Sequence, residues 1–330
     1  MPFSVSALLR PLPVRKLLMR PALALLAVGL LACQSAPASL FATPQRPASN
    51  VPLLASTLPR VASQGNSTKS TLAGNFKTHS QVASRFLKHS RDVMVYLPPQ
   101  YTQDPSRRYP VLYMHDGNNL FDRRTSFGGS EWQVDENLEK LIRSQAIEPV
   151  IVVGVYNTAD RMAEYTWEAA DLDGTMHGGQ GANYARFLVE ELKPLIDKTY
   201  RTRPQREHTA VMGSSLGGLV SFYLGLHYPQ VFSKIGMMSP SIWWKDRALL
   251  NEVPKLSKDL KIWLDMGTKE GQQPQIMLQD AKDLAQALEK QGFQHFRNLA
   301  FHVAQDAGHN EQAWAMRIEH PLRFFYSPAR

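Results

Sequence analysis

The residues with the clearest chemical potential in this 330-residue chain surround Ser215, in the run Ala210-Val211-Met212-Gly213-Ser214-Ser215-Leu216-Gly217-Gly218. A serine framed by glycines two places to either side, between an apolar strand and a helix, suits a nucleophile. The sharp turn lifts Oγ above a sheet, and the small neighbours let the backbone turn without a clash. The amide that follows, Leu216 N–H, then points to where an oxyanion would form. Gly213-x-Ser215-x-Gly217 also fits an ordinary glycine-rich turn, so the reading depends on partners.

A serine hydroxyl needs a base, and the base needs an acid to fix its tautomer and stabilise the imidazolium. Of ten histidines, His309 stands in the loop Ala307-Gly308-His309-Asn310-Glu311, directly after the last expected strand. An open α/β sheet presents residues beside the nucleophile from such a loop. The acid is expected between serine and histidine in chain order, after a strand. Glu270, in Gly267-Thr268-Lys269-Glu270-Gly271, meets that condition; Asp265 within the preceding strand and Asp306 just before His309 are the alternatives. Arg161, Glu164 and Tyr165 in an irregular stretch, with the adjacent Trp243 and Trp244, are candidates to line an acyl or alcohol pocket, and would serve equally as lid or core packing. No zinc-binding His-Glu-x-x-His spacing, phosphate-cradling loop or dinucleotide fingerprint occurs, so no metal or other cofactor is implied.

The elements that must position these groups follow from hydrophobic periodicity. Alternation from Phe76 through Val82, then Val93–Leu97, predicts an antiparallel pair; Tyr109–His115 and the continuous run Val150–Val155 predict buried strands. Helices are expected over Trp132–Arg143, along the apolar stripe Tyr184 to Ile196, over Leu216–Tyr228 and over Gln275–Lys290. Further strands at His208–Met212, Ile235–Met238, Ile262–Met266 and Leu299–Val303 alternate with them. That alternation implies an open α/β sheet with mostly parallel strands and helices on both faces.

Length and a 43% hydrophobic, 20% charged composition fit one large globular domain with a tail. The formal net charge of +8 misleads until its distribution is read: eleven Lys and Arg precede Asp92, the first acidic residue. From Asp92 onward, 26 basic residues face 29 acidic ones, which disfavours a nucleic-acid partner. Residues 1–32 read as an export signal, with basic Arg10, Arg15, Lys16 and Arg20 before the apolar stretch Pro21–Ala32. It ends in Leu30-Leu31-Ala32-Cys33, similar to a bacterial lipoprotein lipobox, and Cys33 is the single cysteine. Lipid attachment would explain a lone thiol in an exported chain. Residues 33–74, rich in Ser, Ala, Pro and Thr, read as a disordered tether, and 75–330 as the folded domain.

Taken together, Tyr109–Asp122, Ala182–Tyr200, Val211–Gly218, Ser239–Trp244, Gly267–Gly271 and Gly308–Trp314 resemble the putative esterase family of α/β-hydrolases, over about residues 76–325. Enterochelin-type siderophore esterases, feruloyl esterases and mycolyltransferases belong to it. The resemblance implies an α/β-hydrolase fold with Ser215 as nucleophile, His309 as base and Glu270 as acid, although several relatives carry Asp at the acid position. It also implies an oxyanion hole from the Leu216 and Asn118 amides. The expected protein is a membrane-tethered serine hydrolase acting on a small-molecule carboxylic ester, located in the bacterial periplasm or at the outer membrane. A siderophore trilactone esterase, an acyltransferase and a non-catalytic binding lipoprotein are the alternatives.

Overall fold

The computed structural model describes residues 69–172 and 174–328. Cys33, the export signal and nearly all of the expected tether lie outside them. Ten strands are described: β1 (Asn75–Val82), β2 (Arg91–Leu97), β3 (Val111–His115), β4 (Ile151–Val155), β5 (Ala169–Leu172), β6 (Thr175–Gly178), β7 (Thr209–Ser214), β8 (Lys234–Met238), β9 (Lys261–Gly267) and β10 (Leu299–Ala304). Eight of them form one sheet in the order β1-β2-β4-β3-β7-β8-β9-β10. The pairs β1·β2 and β2·β4 are antiparallel and every other pair is parallel.

Alternation along the strands explains the layering. Val111 and Tyr113 of β3 enter one apolar cluster while Leu112 and Met114 enter the other, because successive side chains leave opposite faces of a strand. The principal helices are α1 (Val134–Arg143), α2 (Gly181–Arg186, continuing through a π-helical stretch Phe187–Leu192 into Lys193–Thr199), α3 (Leu216–His227), α4 (Pro274–Gln291) and α5 (Glu319–Tyr326). Phe187, Leu192, Phe222, Leu224, Leu284 and Leu288 carry α2, α3 and α4 onto the first face. Leu138, Leu141, Leu322 and Phe325 carry α1 and α5 onto the second. An α/β sheet with helices on both faces is the architecture expected of an α/β-hydrolase.

The hairpin β5·β6 and helix α5 were not anticipated. The body also begins earlier than residue 75: Ser70 Oγ donates to Asp122 Oδ2 at 2.7 Å and Ala73 N–H to Asp135 Oδ2 at 2.6 Å. The last residues assigned to the tether are therefore held on the domain.

One feature of topology matters most for the site. From β3 the chain proceeds to β4 on one side, and β7 then returns to β3's other side and leads on to β8. Neighbouring strands whose connections diverge leave a crevice at their carboxyl ends, where open α/β sheets bind ligands. The turn after β3 and the serine turn after β7 flank that crevice.

Candidate active site

Ser215 follows β7 with φ 57° and ψ −124°, a conformation unusual for a residue bearing a Cβ, and caps α3. Such strain costs about 1–3 kcal/mol and persists where neighbours over-determine it. Ser215 N–H donates to Met238 O at 3.0 Å, and Ser241 N–H to Ser215 O at 3.0 Å. Glycine is required at 213, since a Cβ there would lie 2.9 Å from the Gly217 carbonyl carbon and from His115 Cδ2. Leu216 opens α3, so its amide is among the first four of the helix, which have no intrahelical acceptor. Ser215 Oγ lies 3.2 Å from Ser241 Oγ and, among the described residues, is not bonded to an imidazole. Bonds between nucleophile and base are often loose before substrate binds.

The structure separates the three candidate acids. Glu270, wholly buried, places Oε2 2.9 Å from His309 Nδ1, and the His309 side chain is 29% exposed. Its Oε1 accepts from Gly267 N–H at 2.6 Å and from Ser239 Oγ at 2.5 Å. With Nδ1–H donating to Glu270, the neutral imidazole keeps Nε2 as its acceptor. Asp306 has a side chain 77% exposed and pairs with Lys269 at 2.8 Å. Asp265 is wholly buried and is bonded by Trp263 Nε1 at 2.7 Å and Arg317 Nε at 3.1 Å. Neither alternative is hydrogen-bonded to His309.

On the other side of the crevice, Asp116 follows β3 with φ 55° and begins a tight turn, Gly117–Asn119. Gly117 passes so close to β4 that a Cβ would sit 2.4 Å from the Gly154 carbonyl carbon. Arg161 grips Asp116 with both Nε and Nη2, at 2.6 and 2.7 Å, and Asn157 Nδ2 adds a third bond at 2.6 Å. Burial alone would push the Asp116 carboxyl up, but Arg161 and Asn157 together hold it below the usual carboxylate range. Beneath the turn, burial pushes His115 down to about 3 and so keeps it neutral; its Nδ1 bonds Tyr184 Oη at 2.9 Å.

These contacts correct the pocket expectation. Tyr165 is buried and its Oη accepts the Asp116 N–H at 3.1 Å. Trp244 is buried, donating to Glu168 O at 2.9 Å, and Glu164 is a buried partner of Arg91 at 2.7 Å. All three are packing or pairing groups. Trp243 is half-buried beside Trp244, and Arg161 clasps the turn. Two residues went unnoticed in the sequence. Glu311 accepts from Asn119 Nδ2 at 3.2 Å, and burial raises its carboxyl, with Asp116 adding and His309 and Arg161 opposing. Arg317 is buried among the acid-loop carboxylates. Its signal was a cation within the apolar spacing Trp314, Ile318, Leu322. Among the described residues, no group of three or more His, Cys, Asp or Glu is arranged to hold a metal ion.

Comparison with known proteins bears on the family and the fold. The family model described as "Putative esterase" matches residues 84–325. An uncharacterised protein of Bacillus subtilis, YbbA, is 28% identical over 249 residues, spanning 73% of this chain and 94% of its own. The ferri-bacillibactin esterase BesA of the same organism is 27% identical over 221 residues, 60% of this chain and 73% of that one. Among solved structures, the BES protein from Bacillus cereus superposes with a TM-score of 0.63 at 21% identity, covering 78% of this chain and 98% of the other. That last likeness speaks for the fold.

Proposed function

Given that the chain belongs to the putative esterase family and is a serine-type carboxylic ester hydrolase, we propose that Ser215, His309 and Glu270 are its nucleophile, base and acid. The observation that carries the assignment is the buried Glu270 carboxylate bonded at 2.9 Å to His309 Nδ1, on the loops after β9 and β10. Ser215 Oγ attacks the ester carbonyl as its proton passes to His309 Nε2. The amides of Leu216 and Asn118 receive the oxyanion, and Glu270 stabilises the imidazolium. Collapse expels the alcohol, which takes the proton from His309, and leaves an acyl-serine. Water, deprotonated by the same imidazole, then releases the acid.

Arg161 and Trp243 are the pocket candidates that retain exposure at this site. The likeness to BesA supports a siderophore ester as substrate. The N-terminal pattern supports export and anchoring through a lipidated Cys33. Cys33→Ser should abolish palmitate incorporation and membrane association while activity persists; a labelled mutant would move the anchor elsewhere. For the site, Ser215→Ala should lose fluorophosphonate labelling and several powers of ten in ester hydrolysis. Ser214→Ala should be far milder, and equal losses at both positions would point to structural damage rather than chemistry.

A further inference from the structure

The group around the acid loop carries more charge than a catalytic triad requires. Arg317 has a side chain only 4% exposed, yet every bond it makes is internal. Its Nε donates to Asp265 Oδ1 at 3.1 Å, Nη1 to Ala313 O at 2.9 Å, and Nη2 to Ser239 Oγ at 2.7 Å. Nη2 also lies 3.0 Å from Asp265 Oδ1 and 3.4 Å from Glu270 Oε1. Ser239 Oγ accepts additionally from Trp314 Nε1 at 3.0 Å and donates its own O–H to Glu270 Oε1 at 2.5 Å. With Gly267 N–H also on Oε1, that oxygen is engaged, and Oε2 is the one presented to His309.

We infer that Arg317 is a positioning residue for the reaction: through Ser239 and its charge it fixes the Glu270 carboxylate on His309, and it is the counter-ion that Glu270 shares with Asp265. This rests on the assignment of Glu270 and His309 made above. Two buried carboxylates share one guanidinium, so the cluster is one positive charge short while His309 is neutral. Transfer of the Ser215 proton to His309 supplies that charge. The imidazolium is thus the group that balances the site, and balance arrives when the oxyanion forms. Removing Arg317 would leave Glu270, which touches the imidazole, and Asp265 without their shared counter-ion. That favours a protonated, inactive base in the resting enzyme.

The other charges nearby are accounted for. Glu311 faces His309 from the histidine loop. His302, opposite Asp265 in the β9·β10 register, faces Asp265 and Arg317 and packs at a tilt against His320 of α5, with ring centroids 5.1 Å apart. The Lys269–Asp306 pair lies on the exposed side of the acid loop.

The test is the pH profile of kcat/KM for p-nitrophenyl butyrate, measured on the full chain. Arg317→Met should move the acid limb up by about one pH unit and lower kcat on the order of 10²-fold, with KM little changed. Asp265→Asn should move the limb down. The double variant Arg317→Met/Asp265→Asn should return the limb towards wild type, a rescue that a merely structural arginine would not produce. A folded Arg317→Met enzyme with an unmoved limb, or a double variant no different from it, would overturn the inference. Should Arg317→Met fail to fold, Asp265→Asn alone decides: a limb that stays in place sinks the shared counter-ion. Fluorophosphonate labelling of the same preparations separates the two levels of argument. Failure to label Ser215 would impugn the site itself, whereas retained labelling with an unmoved limb would impugn only the role of Arg317.

Discussion

Two carboxylate–arginine groups, one at the turn after β3 and one within β9, balance their charges differently. After β3, Asp116 is the carboxylate that Arg161 hydrogen-bonds, in a two-pronged grip by a side chain that is 30% exposed. Within β9, Asp265 shares the nearly sealed Arg317 with Glu270. The carboxyl groups respond in opposite directions. Burial opposes ionisation at both, yet Asp116 is held below the usual range by Arg161 and Asn157, while Asp265 is raised. At Asp265 the bonds from Arg317 and Trp263 do not overcome burial, and the charge of Glu270 adds to it. One cation per anion makes a clasp that holds a turn; one cation for two anions makes a site that gains when a further positive charge appears.

The most forceful way to break this contrast is at the acid. Glu270→Gln leaves the shape and removes the charge that stabilises the imidazolium, so turnover should fall on the order of 10⁴-fold with substrate binding little altered. A near-normal rate in a folded variant would remove Glu270 from the mechanism. On the other side, Arg161→Met should misplace the Asn118 amide through the released Asp116 turn. Because water can reach this clasp, the loss in kcat should be smaller, about 10- to 100-fold. A loss matching that of Glu270→Gln would mean the two regions are equally decisive. Asp306→Asn should alter kcat/KM by less than about twofold, as expected for an exposed pair whose removal costs little. A collapse there would put the acid on the histidine loop.

The sheet was legible in the sequence because its central strands are short apolar runs between turn signals, and alternate residues such as Leu112 and Tyr113 do enter opposite cores. The serine turn was legible because close packing at Gly213 excludes a side chain. The sequence leaves the acid open because the direction of Asp265 depends on strand register. It lies in β9 two residues from Trp263, on the same side of the strand, and the indole bonds it there. The pocket was misjudged where contacts join distant segments. Arg161 meets Asp116 and Tyr165 meets the same residue's amide across 45 and 49 positions, and nothing local reveals either bond. For the same reason Arg317, 52 positions from Asp265, was visible only as a cation in an apolar stripe. Of two adjacent tryptophans, the backbone after β8 decides that Trp244 is buried and Trp243 half-exposed.

The smallest effect is the most direct measure of the contrast, because it reads protonation rather than rate. A carboxyl depressed on folding, as at Asp116, adds stability above the unfolded value of about 4, and that stability is lost as pH falls through the depressed folded value. A carboxyl raised on folding, as at Asp265, does the reverse: its contribution is greatest below about 4 and declines as pH rises towards the raised value. Melting temperatures of wild type, Asp116→Asn and Asp265→Asn across pH 3 to 8 should therefore diverge in sign. The deficit of Asp116→Asn should grow as pH increases from the acid end, since the wild type gains a charge pair that the amide lacks. The deficit of Asp265→Asn should shrink over the same direction, since the wild type is being asked to ionise a buried group that the amide keeps neutral. Two curves running in parallel would show that Arg317 serves Asp265 as fully as Arg161 serves Asp116, and would leave Glu270 with no claim on the shared cation.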